Sequence, residues 1–267
     1  MTIQIRLLQV DELDIADQLL KAAFNVPYSR ADDLLGYLNT QPDGWTVAEI
    51  NWQMVGLVGF MDYQTYAYVG FMAVDPHFRG QGIARLLMND LLKKLELKGV
   101  KQVVLDASPL GQPLYEKLGF IAFEETLSMQ RKKPSPPGAT DNRLIRPIEP
   151  RDVPALAVWD APIFGANRSR ALQELIARYP QRSFIIHRPD GHIGGYLIAQ
   201  ARRIGPWVAE DEKEAALLLE RALVLQYESE PLIYLPAENL AARQLLKAGG
   251  FEAIGATRHM GKGLYQP

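Results

Sequence analysis

The chain has 267 residues, 48% of them apolar and 22% charged, so one large domain or two of ordinary size can bury a core. A formal net charge of −2 excludes the broad basic field that nucleic-acid binding needs, and no nucleic-acid partner is expected. With no cysteine, a disulfide framework, a thiolate metal site and a cysteine nucleophile are excluded, and no metal is expected.

In chain order, the residues from Met1 to Arg6 lack a basic stretch followed by an apolar one. No apolar run approaches the roughly 20 residues of a membrane span. A soluble, cytoplasmic chain that engages no membrane is the expectation. Residues 3–8 read as a short strand, and 10–14 as a helix start whose carboxylates complement the helix dipole. Residues 46–50 and 54–60 read as a hairpin across Asn51–Gln53. Residues 66–74 form a buried strand closed by an Asp75-Pro76 turn, and the glycine-rich run Arg79-Gly80-Gln81-Gly82-Ile83-Ala84 follows at once. A helix is predicted over Ile83–Lys94, with Leu86, Leu87, Leu91 and Leu95 at helical spacing. Ser108-Pro109 reads as a further helix start, and a short helix ends in Gly119-Phe120.

Residues 131–142 contain three prolines and a glycine and almost nothing apolar, which predicts an exposed linker. Beyond it the order repeats. A strand over 144–148 precedes an acidic helix start at 149–153. A hairpin joins 184–187 to 193–199 across Arg188–Gly191, and a helix is predicted over Ala215–Leu225. Residues 112–120 align without gaps on 243–251, each ending in Gly-Phe. Two diverged copies of one α/β fold explain this: residues 1–130, a linker at 131–142, and residues 143–267.

Strand, glycine-rich turn and helix N-terminus together make an anion site. The first helical amides have no internal partner, and glycine lets the backbone approach a pyrophosphate. Arg79 can add charge-assisted hydrogen bonds. A Walker loop is excluded because no Gly-Lys-Ser/Thr follows, and the dinucleotide fingerprint because Leu86 and Leu87 occupy the region of its third glycine.

The run from Ala73 to Met88 resembles the signature of the GNAT superfamily of amine N-acetyltransferases, Gln/Arg-x-x-Gly-x-Gly/Ala, carried here by Arg79, Gly82 and Ala84. The resemblance extends to residues 114–120. It implies two tandem GNAT-like domains, each an α/β (α+β) unit with a mixed, mostly antiparallel sheet flanked by helices. It also implies acetyl-CoA or a near relative as co-substrate, its pyrophosphate on Arg79, Gly80, Gln81, Gly82, Ile83 and Ala84. Ala73 and Val74 would hold the acyl and pantetheine portions, with the Val74 amide as oxyanion donor. Tyr115 would act as general acid toward the departing thiolate. Many relatives carry Asn where this chain has Ser108, which is included as a cofactor contact. For the base, Asp62 and Tyr63 are the nearest polar candidates and Asp62 is carried forward; Glu49, Asp106, a water relay and an amine that arrives neutral stay open. His77 reads as a solvated turn residue.

The second copy has lost this chemistry. The stretch from Ile204 to Ala216, rich in acidic residues, stands where the glycine loop should be, and Leu246 where Tyr115 should be. Residues 164–169 and 204–209 resemble segments of the second domain in a tandem GNAT group. Asp160, Asn167 and Arg168 are candidate substrate contacts in this half, while Trp207 reads as core. The expected partner is a small-molecule amine, protein amines being a variant, for a monomer or homodimer. A non-catalytic acyl-CoA sensor is the alternative.

Overall fold

The computed structural model describes residues 2–132 and 144–263, so residues 133–142 of the expected linker lie outside the described residues. The described chain divides into two compact units: residues 2–122 with 260–263, and residues 123–132 with 144–259.

The first unit opens with β1 (Gln4–Leu7), α1 (Leu13–Phe24) and α2 (Ala31–Thr40). The hairpin β2 (Trp45–Ile50) and β3 (Gln53–Asp62) turns on Asn51 and Trp52, whose φ of 47° and 66° are the paired left-handed values of a two-residue hairpin turn. Then follow β4 (Ala67–Val74), α3 (Ile83–Leu97), β5 (Gln102–Ala107) and α4 (Gln112–Lys117). β1 to β4 pair antiparallel in chain order, and β5 pairs parallel with β4. Side chains alternate between the two faces of the sheet. On one face α3 buries Ile83, Leu87, Met88, Leu91 and Leu95 against Val55, Val58, Val69 and Leu105. On the other, α1 and α2 cover Trp45, Val47, Leu57 and Ala73.

Two departures from regularity open the sheet. The β3–β4 register passes from Leu57–Ala73 to Gly59–Gly70, so one residue of β3 faces two of β4, Phe71 and Met72. This bulge holds Phe71 at φ 54°, an uncommon conformation for an aromatic residue, and bends the strand. The β4–β5 ladder ends at Val69–Leu105, although β4 runs on to Val74. Beyond that rung the two strands part.

β6 (Ile121–Arg131) leaves the first unit and pairs antiparallel with β11 (Leu232–Pro236) of the second. The second unit also contains β7 (Ile145–Pro147), α5 (Val153–Phe164), α6 (Ser169–Arg178), β8 (Ser183–His187), β9 (Ile193–Ala199), β10 (Ile204–Ala209), α7 (Glu212–Leu223) and α8 (Leu240–Ala248). Its four-stranded sheet runs β10-β9-β8-β7, all antiparallel. The last strand, β12 (Phe251–Gly263), lies beside β6, but its end belongs to the first unit. There Met260 is fully buried in the α3-side core, and Lys262 Nζ donates to the Leu118 carbonyl at 2.5 Å.

The structure refines the sequence reading in places. α2, β6 and β12 have no counterpart in the sequence reading. α3 extends to Leu97, and α7 begins at Glu212 because the Asp211 side chain caps it, accepting from the Glu214 amide at 2.8 Å. Ser108-Pro109 does not start a helix. Ser108 Oγ accepts from the Gly111 amide at 3.2 Å in a turn, and α4 starts at Gln112 with Pro113 in its first turn.

Candidate functional site

Where β4 and β5 part, a cleft of about 560 Å³ runs from the glycine loop to α4. Gly82 is the N-cap of α3 at φ 80°, and Gly80 sits at φ 77°. A Cβ at either would meet nothing within 4 Å, so these glycines serve the left-handed backbone and not tight packing. Among the described residues, nothing accepts a hydrogen bond from the amides of residues 79–85; the first helical bond is Leu86 N to Gly82 O at 3.0 Å. A row of donors at the positive end of a fifteen-residue helix therefore lines the cleft wall. The charged residues lining the cleft are Arg79, Arg85 and Lys117, all basic. Arg85 lies in the first turn of α3, where a cation opposes the helix dipole, which is itself a sequence signal for an anionic ligand.

Arg79 stands at the mouth, but its side chain has structural work. Nη2 donates to the Ala23 carbonyl at 2.8 Å and Nε to the Val74 carbonyl at 3.3 Å. It ties the loop to the last turn of α1, whose carbonyls lack helical partners, and to the end of β4. Asp75 N donates to Val55 O at 2.9 Å, so by the antiparallel alternation Gly56–Val74 is a non-hydrogen-bonded pair. The Val74 amide consequently points away from β3 and into the gap. Gln81, Ile83 and Ala84 complete the loop, and Ala73, Val74, Ile83, Ala84 and Ser108 all line the cleft.

Tyr115 lies on the opposite wall, 6% exposed, with its ring edge-on to Phe120 at 5.9 Å. Its hydroxyl has no hydrogen-bond partner among the described residues. Burial raises the phenol to about 12, so it keeps its proton throughout the neutral range.

The expected base is a different matter. Asp62 pairs with Ala67 at the start of β4, seven residues from Val74 along an extended strand, on the order of 20 Å away. Its Oδ1 accepts from the Gln64 amide at 2.8 Å. The structure thus gives Asp62 a turn to hold and does not bring it to the cleft. Glu49 is buried against Arg6, which donates to it at 2.6 Å, and His77 is an exposed turn residue. Asp106 lies nearest the fork and accepts from the Tyr68 hydroxyl at 2.7 Å.

In the second unit Asp160 is fully buried, and the Arg168 fork binds both its oxygens at 2.6 and 2.7 Å. The Tyr196 hydroxyl donates to it at 2.7 Å, and the Arg168 guanidinium covers the Phe164 ring at 3.9 Å. Asn167 Oδ1 accepts from the Ser169 amide at the start of α6. Asp160 and Arg168 are therefore engaged in an ion pair and Asn167 in an Asx turn ahead of α6: a buried carboxylate needs a partner, and Arg168 is that partner. A cleft of about 430 Å³ does lie at the start of α7, but its charged lining is Glu210, Asp211 and Glu212, all acidic. Asp211 caps the helix, and Leu246 replaces the tyrosine. This copy lacks the basic lining and the tyrosine of the first.

Among the described residues, no group of three or more His, Asp or Glu is placed to hold a metal, and no helix is long and apolar enough to cross a membrane.

Comparison with known proteins adds the following. Residues 12–131 match the model of an acetyltransferase (GNAT) domain, and residues 156–267 match a second model of the same description. A glucosamine 6-phosphate N-acetyltransferase of Trypanosoma brucei brucei is 41% identical over 58 residues, 22% of this chain and 40% of that protein. An acetyltransferase of Pectobacterium atrosepticum is 37% identical over 93 residues, 33% of this chain and 64% of that protein. The chain thus spans less than two-thirds of the length of each. A solved structure from Pyrococcus horikoshii superposes with a TM-score of 0.85 at 23% identity, covering 98% of this chain and 90% of its own. A GCN5-related N-acetyltransferase from Sphaerobacter thermophilus gives 0.73 at 15% identity, covering 99% and 96%.

Proposed function

Since the chain belongs to the GNAT acetyltransferase family, we propose that it is an acyl-CoA-dependent N-acyltransferase whose first unit transfers an acetyl group from acetyl-CoA to a primary amine of a small molecule, while the second unit performs no chemistry. One observation carries this reading: amides at residues 79–85 with no acceptor among the described residues, in a cleft whose charged walls are wholly basic, open toward Tyr115. The residues fit a CoA pyrophosphate, because the glycines leave the loop clear of side chains and the amides lack internal acceptors. The name of the trypanosomal relative specifies an amino-sugar phosphate as that protein's substrate, which supports a small amine as the class here.

Acyl-CoA, when bound, supplies an activated acyl carbon and a thiol leaving group. The amides of the loop hold the diphosphate. The Val74 amide donates to the acyl oxygen as negative charge grows there. The Tyr115 hydroxyl donates to the departing sulfur as the new carbon–nitrogen bond forms, and the proton shed by the amine restores the phenol. Over the whole reaction an ammonium and a thioester give an amide, a thiol and one proton. Complete transfer from a phenol near 12 to a thiolate near 8.5 is uphill by about 5 kcal/mol. Tyr115 therefore acts first as a hydrogen-bond donor to the leaving sulfur, the proton passing late.

Thiol release from acetyl-CoA across a panel of primary amines, with calorimetry of CoA association, tests this. Amine-dependent thiol release is the expected result. Absence of CoA binding would remove the reading.

A further inference from the structure

The face of the first unit's sheet that carries α1 and α2 holds a set of groups the acyl-CoA site does not use. Gly70 and Asp106 are the first residues beyond the last β4–β5 rung. The Tyr68 ring leans over Gly70, its Cε1 3.8 Å from where a Cβ would stand, and its hydroxyl donates to Asp106 Oδ2 at 2.7 Å. Tyr68, Gly70, Phe71 and Asp106 stay partly exposed although β4 has a strand on each side. A packed central strand would be covered; this stretch is open.

Arg30 stands beside it. Its guanidinium lies 5.3 Å from the Phe71 ring centroid, 5.4 Å from Tyr28 and 5.9 Å from Phe24, and Phe71 in turn meets Tyr37 edge-on at 5.5 Å. Aromatic rings satisfy the faces of a guanidinium but take none of its in-plane N–H groups. Of these, Nη2 reaches only the Tyr28 hydroxyl at 3.3 Å, and Nε is buried with no partner. No carboxylate pairs with Arg30 among the described residues. The nearby Asp17 is held by Lys21 at 2.6 Å and by the Arg30 backbone amide at 2.5 Å. An oriented, uncompensated guanidinium is fitted to a planar or tetrahedral oxyanion.

We infer that the acceptor amine carries an oxyanion, bound by Arg30, while its ammonium is received by Asp106 and the aromatic rings at the fork of β4 and β5. The inference rests on the transferase reading above and names the substrate class of the same site. A carboxylate can accept about four hydrogen bonds, so Asp106 can keep its present partners, Tyr68 among them, and also hold an ammonium. Both ends adjoin the acyl-CoA cleft: Phe71 directly precedes Met72 and Ala73, and Asp106 lies two residues before Ser108, all of them cleft-lining.

Matched acceptors test it: ethanolamine against O-phosphoethanolamine, and glucosamine against glucosamine 6-phosphate, with spermidine as a polycation, each assayed by thiol release from acetyl-CoA. The phosphorylated member of each pair is expected to have a kcat/KM at least about tenfold higher. Arg30→Met should lower that value about 10- to 100-fold and bring the pair ratio near one, while Arg30→Lys keeps part of the preference. A ratio at or below one in the parent protein, a preference for spermidine, or a ratio that survives Arg30→Met overturns the inference. If CoA fails to associate or no amine yields thiol, the transferase reading falls and this inference with it. Turnover indifferent to the oxyanion removes the acceptor assignment alone.

Discussion

Tyr115 illustrates how burial sets a side chain's chemistry. On the wall of the cleft, burial pushes the phenol up to about 12, and it remains a donor at any physiological pH. Tyr115→Phe keeps the ring's packing against Phe120 and removes only the donor. It should lower turnover about 100-fold while leaving the CoA dissociation constant within a factor of two. For the same reason the pH profile should rise as the amine loses its proton and show no fall between pH 8 and 10. A basic limb in that window would show that Tyr115 is not the donor. Asp62 makes the opposite point. A carboxylate at a strand end reads as a base in one dimension, but here it holds a turn far from the thioester. Asp62→Asn should leave kcat within about twofold, because the amide oxygen can still accept from Gln64; a tenfold loss in steady-state assays would restore it as a candidate.

Among the elements, the junction of β4 with α3 does most to make the site. The glycine loop was legible because its composition is dictated locally: Gly80 and Gly82 occupy left-handed backbone, which only glycine adopts at no cost. Gly82→Ala should cost about 1 kcal/mol of stability, a melting-temperature drop of a few degrees by scanning fluorimetry. It should also weaken CoA binding at least about tenfold by calorimetry, since the loop relaxes to place its amides differently. Unchanged affinity would mean that those amides do not hold the diphosphate. The bulge at Phe71 was not legible. Its cause is a register shift against β3, and Phe71 is kept there by Tyr37, Trp45 and Arg30, residues distant in sequence. Likewise the polar stretch of residues 160–168 resembles a site in the sequence, yet Asp160 and Arg168 satisfy one another once folded.

At the level of the whole molecule, the closing strands do not stay with their own halves. β6 pairs with β11, and the end of β12 completes the core around Leu91, Leu95 and Tyr115. Met260→Ala should therefore destabilise the first unit, by about 2–5 kcal/mol, although Met260 is remote in sequence from everything it touches. Residues 1–131 expressed alone should lack a cooperative thermal transition, and a well-folded, CoA-binding fragment would contradict this. The phenols of Tyr115, Tyr196 and Tyr227 are all pushed up, chiefly by burial. A folded pKa above the unfolded 10 gives stability that is fully present below pH 10 and lost as pH rises through the folded values. Melting temperature should hold from pH 7 to 9 and fall steadily above 10.

What the amino-acid sequence determined by itself was whatever is encoded locally: the repeat of two α/β copies, the helix and hairpin periods, and the glycine loop whose left-handed backbone glycine adopts without strain. Only the tertiary structure decided which carboxylates are engaged, where β4 and β5 part, that Arg30 and Phe71 meet, and which unit each closing strand completes. Several of those outcomes depend on contacts between residues tens of positions apart, such as Tyr68 with Asp106 and Arg30 with Phe71, where burial and partner choice are settled by packing and leave no local pattern to read.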